Sequence, residues 1–177
     1  MNSKVALIIG AGTSLGSSIT KVFADDNFTV VPVRREGEKL KPLEEEINSK
    51  GGKCFSFSLD ARKEDEVQNF IERVELEIGE IEIAIYNIGA NIKYNLTETS
   101  SKKYFKVWEM ATFGAFLMGR EVAKNMIKRK RGTIIFTGAT ASIRGGDGFS
   151  AFAGAKNAKR ALAQSMAREL GLSLIHI

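Results

Sequence analysis

The amino-acid sequence predicts an α/β fold, a doubly wound parallel sheet with helices packed on it, and three observations carry that expectation. Five short runs rich in Val, Ile and Phe recur along the chain, helical patterns separate them, and glycines crowd the end of the first run. Parallel strands are buried on both faces and need crossover connections. Each should therefore read as a continuous apolar run followed by an amphipathic helix.

The runs are Val5–Ile9, Thr29–Val33, Lys53–Ser58, Ile81–Tyr86 and Thr133–Thr137. Leu40, Leu43 and Ile47 mark a short helix after the second run. After the third, Val67, Phe70, Ile71, Val74 and Ile78 recur at helical spacing while Glu64, Glu66, Glu72, Glu75 and Glu77 solvate the opposite face. Residues 100–130 read as one long helix carrying Phe105, Trp108, Phe113, Phe116, Leu117, Val122 and Met126. Residues 151–170 read as a last helix with Leu162, Met166 and Leu170 on one side. With two prolines, Pro32 and Pro42, and no repeat or linker, one domain is expected.

Composition narrows the classes. A chain of 177 residues, 44% of them apolar, can bury a real core. The single cysteine, Cys54, excludes an internal disulfide scaffold, and the single histidine, His176, leaves no metal-ligand cluster. No apolar stretch nears the ~20 residues of a spanning helix, so a cytoplasmic chain without a membrane partner is expected. The net charge of +5 includes Lys128-Arg129-Lys130-Arg131. That run reads as a solvated helix end whose cations meet the last carbonyls, not as a nucleic-acid site.

The first run leads into Gly10, Gly12 and Gly16, with Thr13, Ser14 and Leu15 between the last two. Glycine permits a tight turn and close approach of backbone to a pyrophosphate, whose charge then sits at the N-terminus of the next helix. The spacing is not a regular G-x-G-x-x-G, and its plainer reading is an ordinary strand-to-helix turn. The second run ends Val31-Pro32-Val33-Arg34-Arg35 with no carboxylate for the ribose hydroxyls of NAD, while two arginines suit a 2′-phosphate. NADP(H) is thus expected in preference to NAD(H). A methyltransferase using S-adenosylmethionine usually wants a carboxylate there, and Val33 and Arg34 suit it badly.

Three further segments are distinctive: Leu59-Asp60-Ala61, Tyr86-Asn87-Ile88-Gly89-Ala90, and the helix from Ala155 and Lys156 to Leu170. With the glycine turn, they resemble the short-chain dehydrogenase/reductase family over nearly the whole chain, from Val5 to Leu170. The resemblance implies a Rossmann-type sheet in strand order 3-2-1-4-5 and hydride transfer between NADP(H) and a small-molecule carbonyl or alcohol. It implies that Gly10, Gly12, Thr13, Ser14, Leu15 and Gly16 meet the pyrophosphate and that Asp60 and Ala61 meet the adenine. Asn87, Ile88 and Gly89 would border the nicotinamide, Lys156 would hold the ribose, and a homo-oligomer would form through the fourth and fifth helices.

The chain departs from the family where the chemistry is done. The family's catalytic Tyr falls on Phe152, its carbonyl-polarising Ser on Ala139, and its relay Asn on Ala111. A phenyl ring has no exchangeable proton, and losing a positioned general acid typically costs 10²–10⁴-fold in rate. Thr140 or Ser142 could replace the Ser, and Tyr94 is the leading replacement acid, ahead of Asp147. Two functions remain open: an oxidoreductase with a non-standard proton donor, or an NADP(H)-binding sensor or interaction subunit.

The last six residues, 172–177, match the translation of an end sequence used in transposase-based sequencing libraries. They are read as a non-native tail, against the alternative that Ile175-His176-Ile177 begins another strand. The expectation is one incomplete NADP-binding domain over residues 1–171, with five strands present and the final βα unit and strand missing.

Overall fold

A computed structural model describes residues 4–173 and 175–177; Leu174, within the tail segment, lies outside the described residues. Its elements are β1 (Lys4–Ile9), α1 (Leu15–Asp25), β2 (Thr29–Arg34), α2 (Lys41–Ser49), β3 (Lys53–Cys54), β4 (Phe57–Ser58), α3 (Glu64–Glu77), β5 (Glu80–Tyr86), α4 (Ser101–Trp108), α5 (Gly114–Arg129), β6 (Gly132–Phe136), α6 (Ser150–Leu170) and β7 (Ile175–His176). All strand pairs are parallel, in the order β3-β2-β1-β5-β6-β7, with β4 also on β2. The Rossmann-type order expected from the sequence is therefore observed.

The expected five strands are corrected to seven. The run 53–58 breaks in two because Pro32 sits opposite its middle. Val30 and Arg34 use their carbonyls to accept from Phe55 and Leu59, so Pro32, between them, faces the same neighbour but has no N–H to donate. Lys53 and Cys54 pair with Thr29 and Val30, Phe57 and Ser58 with Val33 and Arg34, and Phe55 turns out to solvent. The other addition is β7, where Ile175 and His176 pair with Gly132 and Thr133, so these two residues occupy a strand position beside β6.

Strand alternation sends β1 side chains to two cores. Ala6 and Ile8 pack with Leu43, Ile47 and Cys54 beneath α1 and α2, while Val5, Leu7 and Ile9 pack with Val67, Phe70, Ile71 and Val74 of α3 and Leu117, Val122 and Met126 of α5. The long helix expected over residues 100–130 is interrupted by a π-helical turn at Glu109–Phe113. There the Tyr86 hydroxyl donates to the Met110 carbonyl at 2.6 Å, and Gly114 leaves room for that hydroxyl. No described helix is long and apolar enough to cross a membrane.

The basic run is tied to the sheet. Arg129 meets Glu75 at 2.7 Å and the Ile81 carbonyl at 2.8 Å, and Arg131 pairs with Glu80 and Glu82. The Arg129–Glu75 pair is largely buried, and Glu75 also accepts from the Ile81 N–H at 3.2 Å, so α3, α5 and β5 share one polar joint. Truncating one partner of such a pair strands the other charge. Arg129→Leu should lower the unfolding free energy by about 3 kcal/mol in urea denaturation, whereas the exposed Arg73–Glu77 pair should be nearly silent to Arg73→Leu.

Candidate functional site

The chain leaves β1 toward β2 on one side and returns to β5 on the other, so a crevice opens at the carboxyl ends of β1 and β5. Gly10 makes its floor. Its φ of +96° suits glycine, and a side chain there would run into the backbone of Asn87 and Ile88 at 2.9 Å. The Asn87 N–H donates to Ile9 O at 2.8 Å and its side-chain amide to Gly10 O at 3.1 Å. Gly16 packs its α-carbon against Ala11 and Gly10 with equally little room, whereas Gly12 faces open space.

A cleft of about 250 Å³ results, lined by Gly10, Gly12, Arg34, Arg35, Glu36, Asp60, Ala61, Arg62, Asn87, Ile88 and Gly89. The structure thus brings together nine of the residues singled out from the sequence. Thr13, Ser14 and Leu15 are exposed on the turn beside it, and buried Gly16 fixes the turn from behind. The first turn of α1 has no acidic residue and no side-chain cap from Ser14. The Ser17 N–H donates to Gly12 O at 2.9 Å, and the positive end of the helix, with no carboxylate in its first turn, lies beside the open face of Gly12 and suits an anion.

Arg34 and Arg35 enter no ion pair among the described residues, while Glu36 beside them is taken up by Lys39. Asp60 is more constrained than the sequence suggested. Arg62 grips its carboxylate, with Nε at 2.7 Å from Oδ1, and holds its pKa below the ordinary value. Arg62, like Glu36, was missed in the sequence; both lie in local segments whose spacing carries no signal.

Gly89 joins this cleft to a second region. A side chain at position 89 would lie 3.7 Å from the Lys156 amine and 3.9 Å from the Phe152 ring edge, so the edge of the cleft borders both residues. Phe152 and Lys156 are 7% and 4% exposed, one turn apart on α6. The Lys156 ammonium donates to the Thr137 carbonyl at 2.9 Å and lies 5.7 Å from the centre of the Phe152 ring. Beyond Phe152, a cavity of about 510 Å³ is lined by Asn91, Ala139, Thr140, Arg144 and Phe149.

Of the replacement groups, Thr140 lines that cavity, while Ser142 is buried and its hydroxyl accepts from the Ala139 N–H at 3.1 Å. Tyr94 does not line it; its ring lies under the Lys103 ammonium at 4.7 Å. Asp147 is exposed and pairs with Lys93, and His176 is exposed on β7. Ala111 lies buried in the π turn.

A family model described as short chain dehydrogenase matches residues 4–177. The chain belongs to the short-chain dehydrogenase family. It is 29% identical over 170 residues to 2-dehydro-3-deoxy-D-gluconate 5-dehydrogenase of Formosa agariphila, a match covering 96% of this chain and 64% of that relative. A short-chain dehydrogenase structure from Rhodopseudomonas palustris is 50% identical at a TM-score of 0.95, covering 100% of this chain and 82% of the other. A metagenomic short-chain oxidoreductase solved in complex with NADP is 25% identical at a TM-score of 0.92, covering 99% and 80%.

The short-chain dehydrogenase site here contains one residue that the sequence reading passed over. Lys159 is 1% exposed, reaches the Ile88 carbonyl at 3.3 Å and lies 5.5 Å from the centre of the Tyr86 ring. Three residues after Lys156, it shares that face of α6, where the Leu162 and Met166 stripe leads one to expect an apolar side chain. Burial first, then the neighbouring Lys156 charge, pull its pKa down to about 7. The unfolded amine titrates near ~10.4. Between these values the unfolded chain binds a proton that the native chain does not, so stability rises with pH. Relative to Lys159→Met, the native protein should gain on the order of 1 kcal/mol of unfolding free energy per pH unit from about pH 7 to pH 10, read by denaturant melts across that window.

Proposed function

We propose that the chain is the catalytic nucleotide-binding unit of an NADP(H)-dependent oxidoreductase that moves hydride between a nicotinamide and a small carbonyl or alcohol. The observation that carries this reading is the cleft, where a glycine turn, a helix start without a side-chain cap and two arginines in no ion pair among the described residues lie with Gly89, which neighbours buried Lys156. These residues fit a phosphorylated dinucleotide. Gly10, Gly12 and the start of α1 would take the pyrophosphate, Arg34 and Arg35 the 2′-phosphate, and Asp60 and Ala61 the adenine. Asn87, Ile88 and Gly89 would border the nicotinamide, and Lys156 its ribose.

The bound dinucleotide would supply the hydride chemistry. The chain's own part is to hold substrate in the cavity beside Phe152, with Thr140 available to polarise its oxygen, and to provide a proton from a group other than residue 152. A second copy of the chain is the proposed protein partner. The stacked, partly exposed row Phe105, Trp108, Phe113 and Phe116, running from α4 through the π turn to α5, favours it. The compartment proposed is the cytoplasm.

Two measurements test the reading. Phe152→Tyr places a phenol one helical turn from Lys156 and should raise NADPH-dependent reduction across a panel of small aldehydes and ketones by ~10²-fold. No turnover in either form would instead favour a nucleotide-binding subunit. In titration calorimetry the native protein should prefer NADPH to NADH by ~10-fold or more, and Arg34→Ala with Arg35→Ala should abolish the preference. Equal affinities in the native protein would remove the 2′-phosphate assignment.

A further inference from the structure

The cavity beside Phe152 carries a positive charge with no protein counter-ion among the described residues. Its lining has three polar side chains, Asn91, Thr140 and Arg144, and no carboxylate. None of the three side chains makes a hydrogen bond or ion pair among the described residues. Asp147, the acid nearest to Arg144 in the chain, is exposed and pairs with Lys93 at 3.4 Å. Arg144 is exposed, so its charge stays hydrated until a ligand covers it.

The backbone that carries this guanidinium is fixed. The Thr140 carbonyl accepts from the N–H groups of Ile143 and Arg144, both at 3.1 Å, and the Asn157 amide of α6 donates to the Ala141 carbonyl at 2.9 Å. Arg144 therefore follows Thr140 by one turn, on a segment pinned to α6. Gly145 and Gly146 come next in the lining and add no side chain to it. The rest is apolar: Phe149 and Phe152 meet edge to face at 6.3 Å beside Ala139 and Ala141. Both rings belong to the start of α6, which has no acidic residue and no side-chain cap in its first turn, so the helix adds to the positive sign. Asn91, two residues beyond Gly89 of the nucleotide cleft, places the cavity next to that cleft.

We propose that this cavity is an acid-recognising subsite: the substrate is an oxo acid or hydroxy acid whose carboxylate is bound by Arg144 and whose apolar or aromatic body lies on Phe149 and Phe152. The proposal rests on the hydride-transfer reading above and gives its substrate class. One guanidinium matches one negative charge, and its planar fork matches the two oxygens of a carboxylate. A phosphate monoester, at about −1.5 to −2, would bring charge for which the lining holds no second cation. With Thr140 at the carbonyl oxygen, the carboxylate on Arg144 fixes which end of the molecule turns toward Gly89.

The test compares 4-formylbenzoate with its methyl ester, which share the aldehyde and the ring and differ in charge. With the full chain and NADPH, kcat/KM for the acid should exceed that for the ester by ~10-fold or more, and titration calorimetry should show the same order of binding. Arg144→Leu should bring acid and ester within about twofold of each other while NADPH affinity stays native. Arg144→Lys, which keeps the charge and loses the fork, should retain only part of the preference. Equal handling of acid and ester by the native protein, or a preference that survives Arg144→Leu, would overturn the subsite and leave the hydride-transfer reading standing. Acid binding that depends on Arg144, without turnover of either compound, would support the subsite and overturn the hydride-transfer reading. Binding of neither compound would overturn the subsite.

Discussion

Seventy-seven positions separate Gly10 from Asn87 in the chain, yet the side-chain amide of one bonds the carbonyl of the other. That contact joins the ends of β1 and β5, and the site depends on it. Gly10 and Ala11 both donate to the Val33 carbonyl, so the same turn also holds the end of β2 that carries Arg34. A Cβ at Gly10 would force the ends of β1 and β5 apart. The glycine therefore serves the fold and the ligand by one means: it lets backbones close up, and the space they vacate becomes the cleft.

From that junction the electrostatics divide. At the dinucleotide side the positive groups are Arg34, which is half-buried, Arg35, which is exposed, and the start of α1. Toward Phe152 two positive groups are buried, Lys156 and Lys159, which meet carbonyl dipoles and ring faces but no carboxylate. Carbonyls offset part of the desolvation of an ammonium, and a neighbouring like charge opposes that gain. Arginines thus serve the open end of the site, while lysines whose charge is opposed by burial stand at the other.

Much of this was legible in the sequence because its signals are local. Period-two and helical patterns mark strands and helices from neighbours a few residues away, and glycines at a strand end mark a turn. Pro32 was visible too, but its consequence, the division of residues 53–58 into two strands, required knowing which neighbour it faced. The π turn at Glu109–Phe113 left no mark in the helical spacing and depends on the Tyr86 hydroxyl arriving from β5. Likewise nothing near Tyr94 in the chain announces that Lys103 sits over its ring.

The sequence by itself determined the α/β architecture, the glycine turn, the arginines at the end of β2 and a Phe four residues before Lys156, since each is a property of residue type and short-range spacing. Only the tertiary structure decided that Gly89 borders buried Lys156 and that Lys159 is buried on the same face of α6. An amine's charge depends on the water, dipoles and ions around it, and here those are set by residues of β5, β6 and α6 that come together only on folding.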